Sequence, residues 1–193
     1  MGKYYKKDGK VYNLLKCIYL SWMYFLITFT MNNYIGMLHK DVIRTFLTFS
    51  FCMFFSYWSH RLSHNNWPII GLKFMHPLHH NTKYNKKIWA ELIEWLINLI
   101  QIGGLILIPI NIMIFKLFKI KLFNNYSIVL FAIIYTLTHM ISYHNLKVNT
   151  HTKHHENIKK NFGPDFIDIF FGTKDDNSEF EDHNPYIINS FIS

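Results

Sequence analysis

The sequence predicts an all-α fold: an integral membrane helical bundle of about four transmembrane helices with a histidine-rich cap on the cytosolic side. Half of the 193 residues are hydrophobic and 18% are aromatic, and the apolar residues are grouped in long runs. This composition is typical of membrane proteins. Most of the twelve histidines lie near the ends of these runs. We expect a single membrane domain over residues 1–193, with a basic arm at 1–10 and an acidic, polar tail at 176–193.

The first two apolar runs, residues 11–38 and 42–58, predict the first two membrane spans, since a hydrocarbon core needs about 20 apolar residues. Lys16 lies near the start of the first run, where its side chain could reach the headgroups. The second run ends in Tyr57-Trp58, a pair suited to a membrane interface. A basic segment precedes the first run, but no small-residue cleavage site follows it, so we interpret the run as a retained anchor.

The last two runs are residues 88–115 and 128–144. The third run contains Gly103, Gly104 and Pro109, and its length fits either one long kinked helix or a tight helical hairpin. Polar residues at 65–87 separate it from the second run and predict a segment at the membrane surface.

The formal net charge of +8 favours a cytosolic position for the histidines. If every histidine group faces one side, fifteen of the twenty Lys and Arg share that side. The five on the other side are Lys40, Arg44, Lys116, Lys119 and Lys121. The basic residues form no long tract, which argues against nucleic-acid binding. Cys17 and Cys52 are too few for a disulfide framework or a Cys-rich zinc site.

Ten of the twelve histidines form four groups. The groups are His60 and His64; His76, His79 and His80; His139 and His144; and His151, His154 and His155. The HxxxH and HxxHH spacings put imidazoles on one face of a helix. The i, i+5 spacing of the third group does not, so either the helix breaks there or only His139 is a ligand. His39 and His183 are interpreted as ordinary surface residues.

Neutral imidazole is the commonest metal ligand in proteins. Eight to ten imidazoles exceed the four ligands of a structural zinc site, which suggests two metal ions. Arg61 stands where the HExxH motif of zinc proteases has its glutamate, which disfavours proteolysis. Zinc has no redox chemistry, whereas iron bound by imidazole can activate dioxygen.

These motifs resemble the fatty acid hydroxylase/sterol desaturase superfamily. The resemblance spans roughly residues 50–175 and is carried by YWSHRLSH at 57–64, HPLHH at 76–80, His139, HTKHH at 151–155, Asn161, Gly163, Asp168 and FGT at 171–173. It implies a catalytic region at 42–175. It also implies a membrane-bound di-iron oxidoreductase that hydroxylates or desaturates a lipid, either a fatty acyl chain or a sterol.

The resemblance further implies dioxygen as a substrate and a separate electron donor such as cytochrome b5. It implies two iron ions, with zinc able to replace them in purified samples, and a location in the endoplasmic reticulum with a cytosolic active site. The catalytic metal ligands it implies are His60, His64, His76, His79, His80, His151, His154 and His155; His139 and His144 are further metal ligands.

Two interpretations remain open. Asp168, and next Asn161, is expected to accept a hydrogen bond from a ligating imidazole, but Asp168 could equally be a helix cap. A non-enzymatic metal-binding or metal-transport membrane protein is the alternative function. Transport sites normally lie in the middle of spans, and the histidines here lie at span ends, which favours the enzyme.

Overall fold

The computed structural model describes residue 5, residues 9–64, 89, 92–93, 96, 106–140 and 148–180. Over these residues it contains seven helices and no strand, which confirms the all-α prediction for this part of the chain. The helices are α1 Lys10–Leu20, α2 Trp22–Leu38, α3 Val42–Ser63, α4 Ile108–Phe118, α5 Asn125–Met140, α6 Asn149–Glu156 and α7 Asp165–Phe171.

The chain divides into two compact units. The terminal unit combines Met1–Thr28 with Thr138–Ser193, and the central unit is Phe29–Leu137. The first histidine pair belongs to the central unit, and the 151–155 triplet belongs to the terminal unit.

Membrane crossing is only weakly indicated. No single helix in the described ranges combines the length and the hydropathy that a crossing requires, although α1 and Phe25–Leu38 meet both limits together as a bent pair. The apolar helices α4 and α5 are shorter. Four transmembrane helices therefore remain a prediction.

The segment predicted as the first span forms two helices that are bent by 66° relative to each other. Ser21 adopts φ −105° and ψ 9°, outside the helical region, and this ends α1 one residue before α2 begins. The second predicted span, by contrast, continues past Trp58 to Ser63, so the HxxxH pair lies on the last turn and C-cap of α3.

Pro109 lies in the first turn of α4. The two residues before α4, 106 and 107, are π-helical, and Leu107 has right-handed helical φ and ψ. Helical structure therefore continues at least to residue 106 on the N-terminal side of Pro109. Most of residues 88–107 lies outside the described ranges, so the choice between a kinked helix and a hairpin stays open.

Aromatic and polar contacts hold α2, α3 and α5 together in the central unit. Phe49 is fully buried, and its ring lies 5.7 Å from Phe29 and 5.4 Å from Phe131. The Ser127 hydroxyl donates to Asn32 Oδ1 at 2.5 Å and lies 3.1 Å from the Thr45 carbonyl. Because buried polar groups are costly unless they are bonded, these contacts fix the helix register.

Gly36 permits the close approach of α2 to α3. A Cβ atom at this position would lie 2.8 Å from Val42 Cα and 3.3 Å from Thr45 Cβ. The first of these neighbours is backbone, which cannot rotate away. The tight α2–α3 connection thus requires a residue without a side chain.

The core of the terminal unit brings together both ends of the described chain. It consists of Tyr5, Cys17, Leu20, Ile169 and Phe180, with Leu14 and Phe166 packed against it. The backbone of Tyr5 also pairs with residues 177 and 178. The basic arm is therefore not wholly solvated, since Tyr5 is buried. The predicted polar tail begins inside the core, because Ser178, Glu179 and Phe180 are buried.

The sequence led us to expect that the Lys16 side chain could reach the headgroups, but it turns into the protein. It is 7% exposed, and its ammonium group lies 5.3 Å from the centroid of the Phe180 ring. A cation held over an aromatic face is stabilised by the ring quadrupole. The position of Phe180 thus decides where Lys16 lies.

We expect Gly36→Ala to lower the free energy of unfolding by about 1–2 kcal/mol. Overpacking costs about 1–3 kcal/mol, and the higher helix preference of alanine offsets up to about 1 kcal/mol of that loss. Denaturant titration in detergent micelles measures the change. Thr30→Ala, on an exposed position of the same helix, is the control and should change stability little. A Gly36→Ala variant as stable as the wild type would contradict the steric argument.

Candidate metal centre

His60 and His64 form a preorganised pair at the end of α3. Their nearest ligand nitrogens lie within 4.8 Å of each other, and the ring centroids are 5.3 Å apart. The i, i+4 spacing places them one helical turn apart on the same face. Both side chains are partly exposed. The pair is compatible with binding one metal ion through two imidazoles.

Arg61 lies between these histidines in the sequence but points its guanidinium elsewhere. It donates to the Tyr57 hydroxyl at 3.0 Å and lies 5.2 Å from the Trp58 ring centroid. Tyr57 is fully buried. Arg61 thus joins the aromatic pair at the end of α3.

In the terminal unit, the HTKHH triplet lies on α6, as its spacing predicts. The rings of His151 and His155 are 4.3 Å apart, and those of His154 and His155 are 6.2 Å apart. His154 is 1% exposed, whereas the other two are partly exposed. One turn of helix therefore presents three imidazoles, of which one is fixed in the protein interior.

A backbone carbonyl fixes the orientation of His154. Its Nδ1 lies 2.5 Å from the Lys160 carbonyl oxygen. A carbonyl can only accept, so Nδ1 carries the proton in this contact, and Nε2 is the nitrogen through which His154 would bind a metal. Metal-ligating histidines usually bond their other nitrogen in this way. The Phe162 ring, 5.7 Å away, packs edge-on against the imidazole.

Asp168 holds the loop that supplies this carbonyl. Its carboxylate accepts hydrogen bonds from the backbone N–H groups of Phe162 at 3.0 Å and Gly163 at 2.6 Å, and from the Thr173 hydroxyl at 2.6 Å. All of its side-chain bonds in the described residues go to this loop and to Thr173. The expectation that Asp168 bonds an imidazole is therefore wrong here, because backbone donors occupy both carboxylate oxygens.

Asn161 also acts through the backbone. Its Nδ2 donates to the Thr150 carbonyl on α6 at 3.1 Å, and its Oδ1 accepts from the Asp175 N–H at 2.9 Å. Its φ of 55° is left-handed, a conformation that asparagine tolerates better than most residues. Asn161 thus joins α6 to the segment after α7, and it bonds no imidazole in the described residues.

Glu179 caps the start of the histidine helix. Its carboxylate accepts from the Asn149 N–H at 3.0 Å, and its own N–H donates to Asn149 Oδ1 at 2.8 Å. The Thr150 hydroxyl donates to the Glu179 carbonyl at 2.7 Å. A carboxylate at a helix N-terminus is favoured by the helix dipole and satisfies N–H groups that lack intrahelical partners.

A buried ion pair supports this arrangement. The Lys174 ammonium lies 2.5 Å from the Asp165 carboxylate, with both side chains fully buried, and it donates to the Glu179 carbonyl at 2.6 Å. Asp165, Lys174 and Glu179 were not predicted as supporting residues. The one signal in the sequence is that seven of the twelve acidic residues lie between Asp165 and Asp182.

The remaining predicted ligands lie outside the described residues. They are His76, His79, His80 and His144, together with the side chain of His139, whose backbone lies in α5. Their roles stay predictions.

Burial raises the pKa of Asp168 to about 6, against the lowering effects of the Thr173 hydroxyl, the Lys174 charge and the Gly163 N–H. Between pH 4 and pH 6 the folded protein then holds a proton that the unfolded chain has released. We therefore expect the free energy of unfolding to fall with rising pH across this window, by about 3 kcal/mol from this group, and to lose this component above pH 6.

Urea unfolding at pH 4 to 7 measures this dependence when the wild type is compared with Asp168→Asn, which has no carboxyl to titrate. Asp176→Asn, which removes an exposed carboxylate from the same segment, is the control. Equal pH dependence in wild type and Asp168→Asn would contradict the expectation.

Comparison with known proteins identifies the family of this chain. The family model described as fatty acid hydroxylase matches residues 45–173, which contain all ten predicted metal ligands. No curated protein and no solved structure matches the chain. The matched range begins within α3 and ends at Thr173, so it includes both described histidine groups and the Asp168 loop. Because this match covers about two thirds of the sequence, the chain belongs to the fatty acid hydroxylase family.

Proposed function

We propose that this protein is a membrane-bound di-iron oxidoreductase that hydroxylates or desaturates a fatty acyl chain or a sterol with dioxygen. Membership of the fatty acid hydroxylase family supports an oxygenase-type enzyme acting on lipid. The observation that carries the proposal is the orientation of His154, a buried imidazole whose Nδ1 lies 2.5 Å from the Lys160 carbonyl oxygen. Metal-ligating histidines usually bond their other ring nitrogen in this way, which supports a ligand role for His154.

The donor set fits iron. The described candidates are all imidazoles, and the His60–His64 pair offers two nitrogens from one helical turn. Under the proposal, two iron ions are held by His60, His64, His76, His79, His80, His139, His144, His151, His154 and His155. Bound iron would supply oxidising power toward C–H bonds, which acid–base side chains lack.

The protein's own contribution, in the described residues, is to orient the imidazoles of α6. The Lys160 carbonyl keeps the Nδ1 proton on His154, and the Asp168 carboxylate keeps the Lys160–Gly163 loop in place. Glu179 fixes the start of α6. These supports act before a metal binds, so the ligands lose little conformational freedom on binding.

Exposed apolar surface supports the proposal that the substrate is a lipid. Large hydrophobic side chains of α3 are exposed, including Ile43 at 77% and Leu47 at 59%. Such exposure is costly in water and ordinary against acyl chains. We place the active site on the cytosolic side because of the charge distribution. The endoplasmic reticulum as its location and a separate electron donor such as cytochrome b5 follow from the resemblance to the family.

Comparing lipid extracts of cells with and without the full chain tests the function directly. We expect a new hydroxylated or unsaturated lipid under air, its loss under nitrogen, and about two irons per purified chain. Iron removal by a chelator should abolish turnover, and added ferrous iron should restore it. Metal uptake without any lipid change would instead support the metal-binding or metal-transport alternative.

We expect His79→Ala and His154→Ala to abolish lipid product and lower iron content while the protein still inserts into membranes. Under the proposal, each change removes one imidazole ligand from the metal site. Thr152→Ala, at an exposed position of α6, is the matched control and should retain both. Wild-type turnover in the two histidine variants would contradict the proposed site.

A further inference from the structure

A pocket lies in the central unit, near the opposite end of α3 from His60 and His64. Its volume is about 420 Å³, within the range of ligand-binding pockets. Sixteen residues of continuous helix separate Arg44 from His60, or about 24 Å. The pocket is lined by His39, Asp41, Arg44, Asn111, Ile112, Phe115, Lys116, Lys121, Phe123, Asn124, Asn125 and Tyr126. It therefore does not belong to the metal centre.

The lining carries an excess of positive charge. Arg44, Lys116 and Lys121 contribute cations, and Asp41 contributes the single carboxylate. Arg44 is held by Asp41 and by the Lys121 carbonyl at 2.8 Å. In the part of the chain that the structure describes, neither lysine ammonium is paired with a carboxylate. Among the described residues, these two cations at the pocket therefore lack a carboxylate counter-charge.

The floor of the pocket is rigid. Asn111 donates to the Phe123 carbonyl at 2.9 Å and accepts from the Phe123 N–H at 2.9 Å. Asn124 donates to Thr45 at 2.8 Å and accepts from the N–H groups of Tyr126 and Ser127. Both asparagines are buried. The connection between α4 and α5, which carries Lys121, is thus fixed without a ligand.

One wall of the pocket is apolar and continues onto the protein surface. Ile112 and Phe115 of α4 line the pocket and are 44% and 40% exposed. The ring of Tyr126 stacks on His39 at 4.3 Å. Cations beside an apolar surface suit a molecule with an anionic head and an apolar body.

We propose that this pocket binds a phosphate group. Arg and Lys donors from α3, α4 and the α4–α5 connection can reach separate oxygens of one phosphate, and such charge-assisted bonds are strong. The phosphate belongs either to an acidic phospholipid, whose chains contact the α4 wall, or to a soluble ion. A choline headgroup fits poorly, because its own cation would face Lys116 and Lys121. The pocket also accounts for basic residues at the end of the bundle away from the histidines.

The test uses the full chain in phosphatidylcholine nanodiscs that contain a few mole per cent phosphatidic acid. Native mass spectrometry counts the phosphatidic acid molecules that stay bound to the released protein. We expect the double variant Lys116→Gln/Lys121→Gln to lower retention tenfold or more. Lys119→Gln, an exposed lysine of the same connection that does not line the pocket, should retain the wild-type amount. A second arm measures the rise in Tm with inorganic phosphate at constant ionic strength.

If retention of phosphatidic acid depends on Lys116 and Lys121, the proposal is supported and the phosphate comes from a phospholipid. A phosphate-dependent rise in Tm that the double variant loses, without retained lipid, supports it with a soluble source. Equal behaviour of wild type and double variant in both arms overturns it. If the double variant does not fold, the single variant Lys116→Gln tests the proposal. The Lys116 side chain makes no polar contact in the described residues, so its loss should not affect folding. Lys116→Arg keeps the charge and should bind as the wild type does.

Discussion

The geometry of the histidine helix depends on a carboxylate that is entirely removed from water. Asp168 collects two backbone N–H groups and one hydroxyl, and the loop that it holds presents the Lys160 carbonyl to His154. Desolvating a carboxylate is expensive, so the fold tolerates Asp168 only while all three donors stay in place. The requirement works in both directions: the carboxylate fixes the loop, and the loop makes the buried carboxylate possible.

The same reasoning extends to the other buried charges of the terminal unit. Lys174 and Asp165 are fully buried and satisfy each other, while Glu179 connects Lys174 to the first turn of α6. Breaking one partner of such a pair typically costs several kcal/mol, because the other charge is left without compensation. A helix of only eight residues would be marginal alone. Here its first turn is held by Glu179 and Asn161, and His154 in its second turn is held by the Lys160 carbonyl.

The sequence predicted the structure correctly where histidines recur at helical spacing. HxxxH and HxxHH predicted that His60 with His64, and His151 with His154 and His155, share helical faces, and the structure places each group on one helix. The motif also contains Asn161, Gly163, Asp168 and Thr173, but the expectation that Asp168 or Asn161 bonds an imidazole is wrong in the described residues. Spacing cannot reveal whether a carboxylate turns toward an imidazole or toward the backbone, because a loop with left-handed residues at 161 and 163 decides that direction.

Contacts between distant parts of the chain explain the other differences. Glu179 caps a helix thirty residues upstream, and Tyr5 packs beside Phe180, pairings that no local pattern encodes. Because the terminal unit is built from both ends of the described chain, α1 is synthesised long before its partners α7 and Phe180 exist. α1 can complete its packing only after the chain through Phe180 has left the ribosome. During translation the buried face of α1 therefore needs a temporary cover, and any C-terminal truncation that removes Phe180 takes away one of the side chains that cover this face.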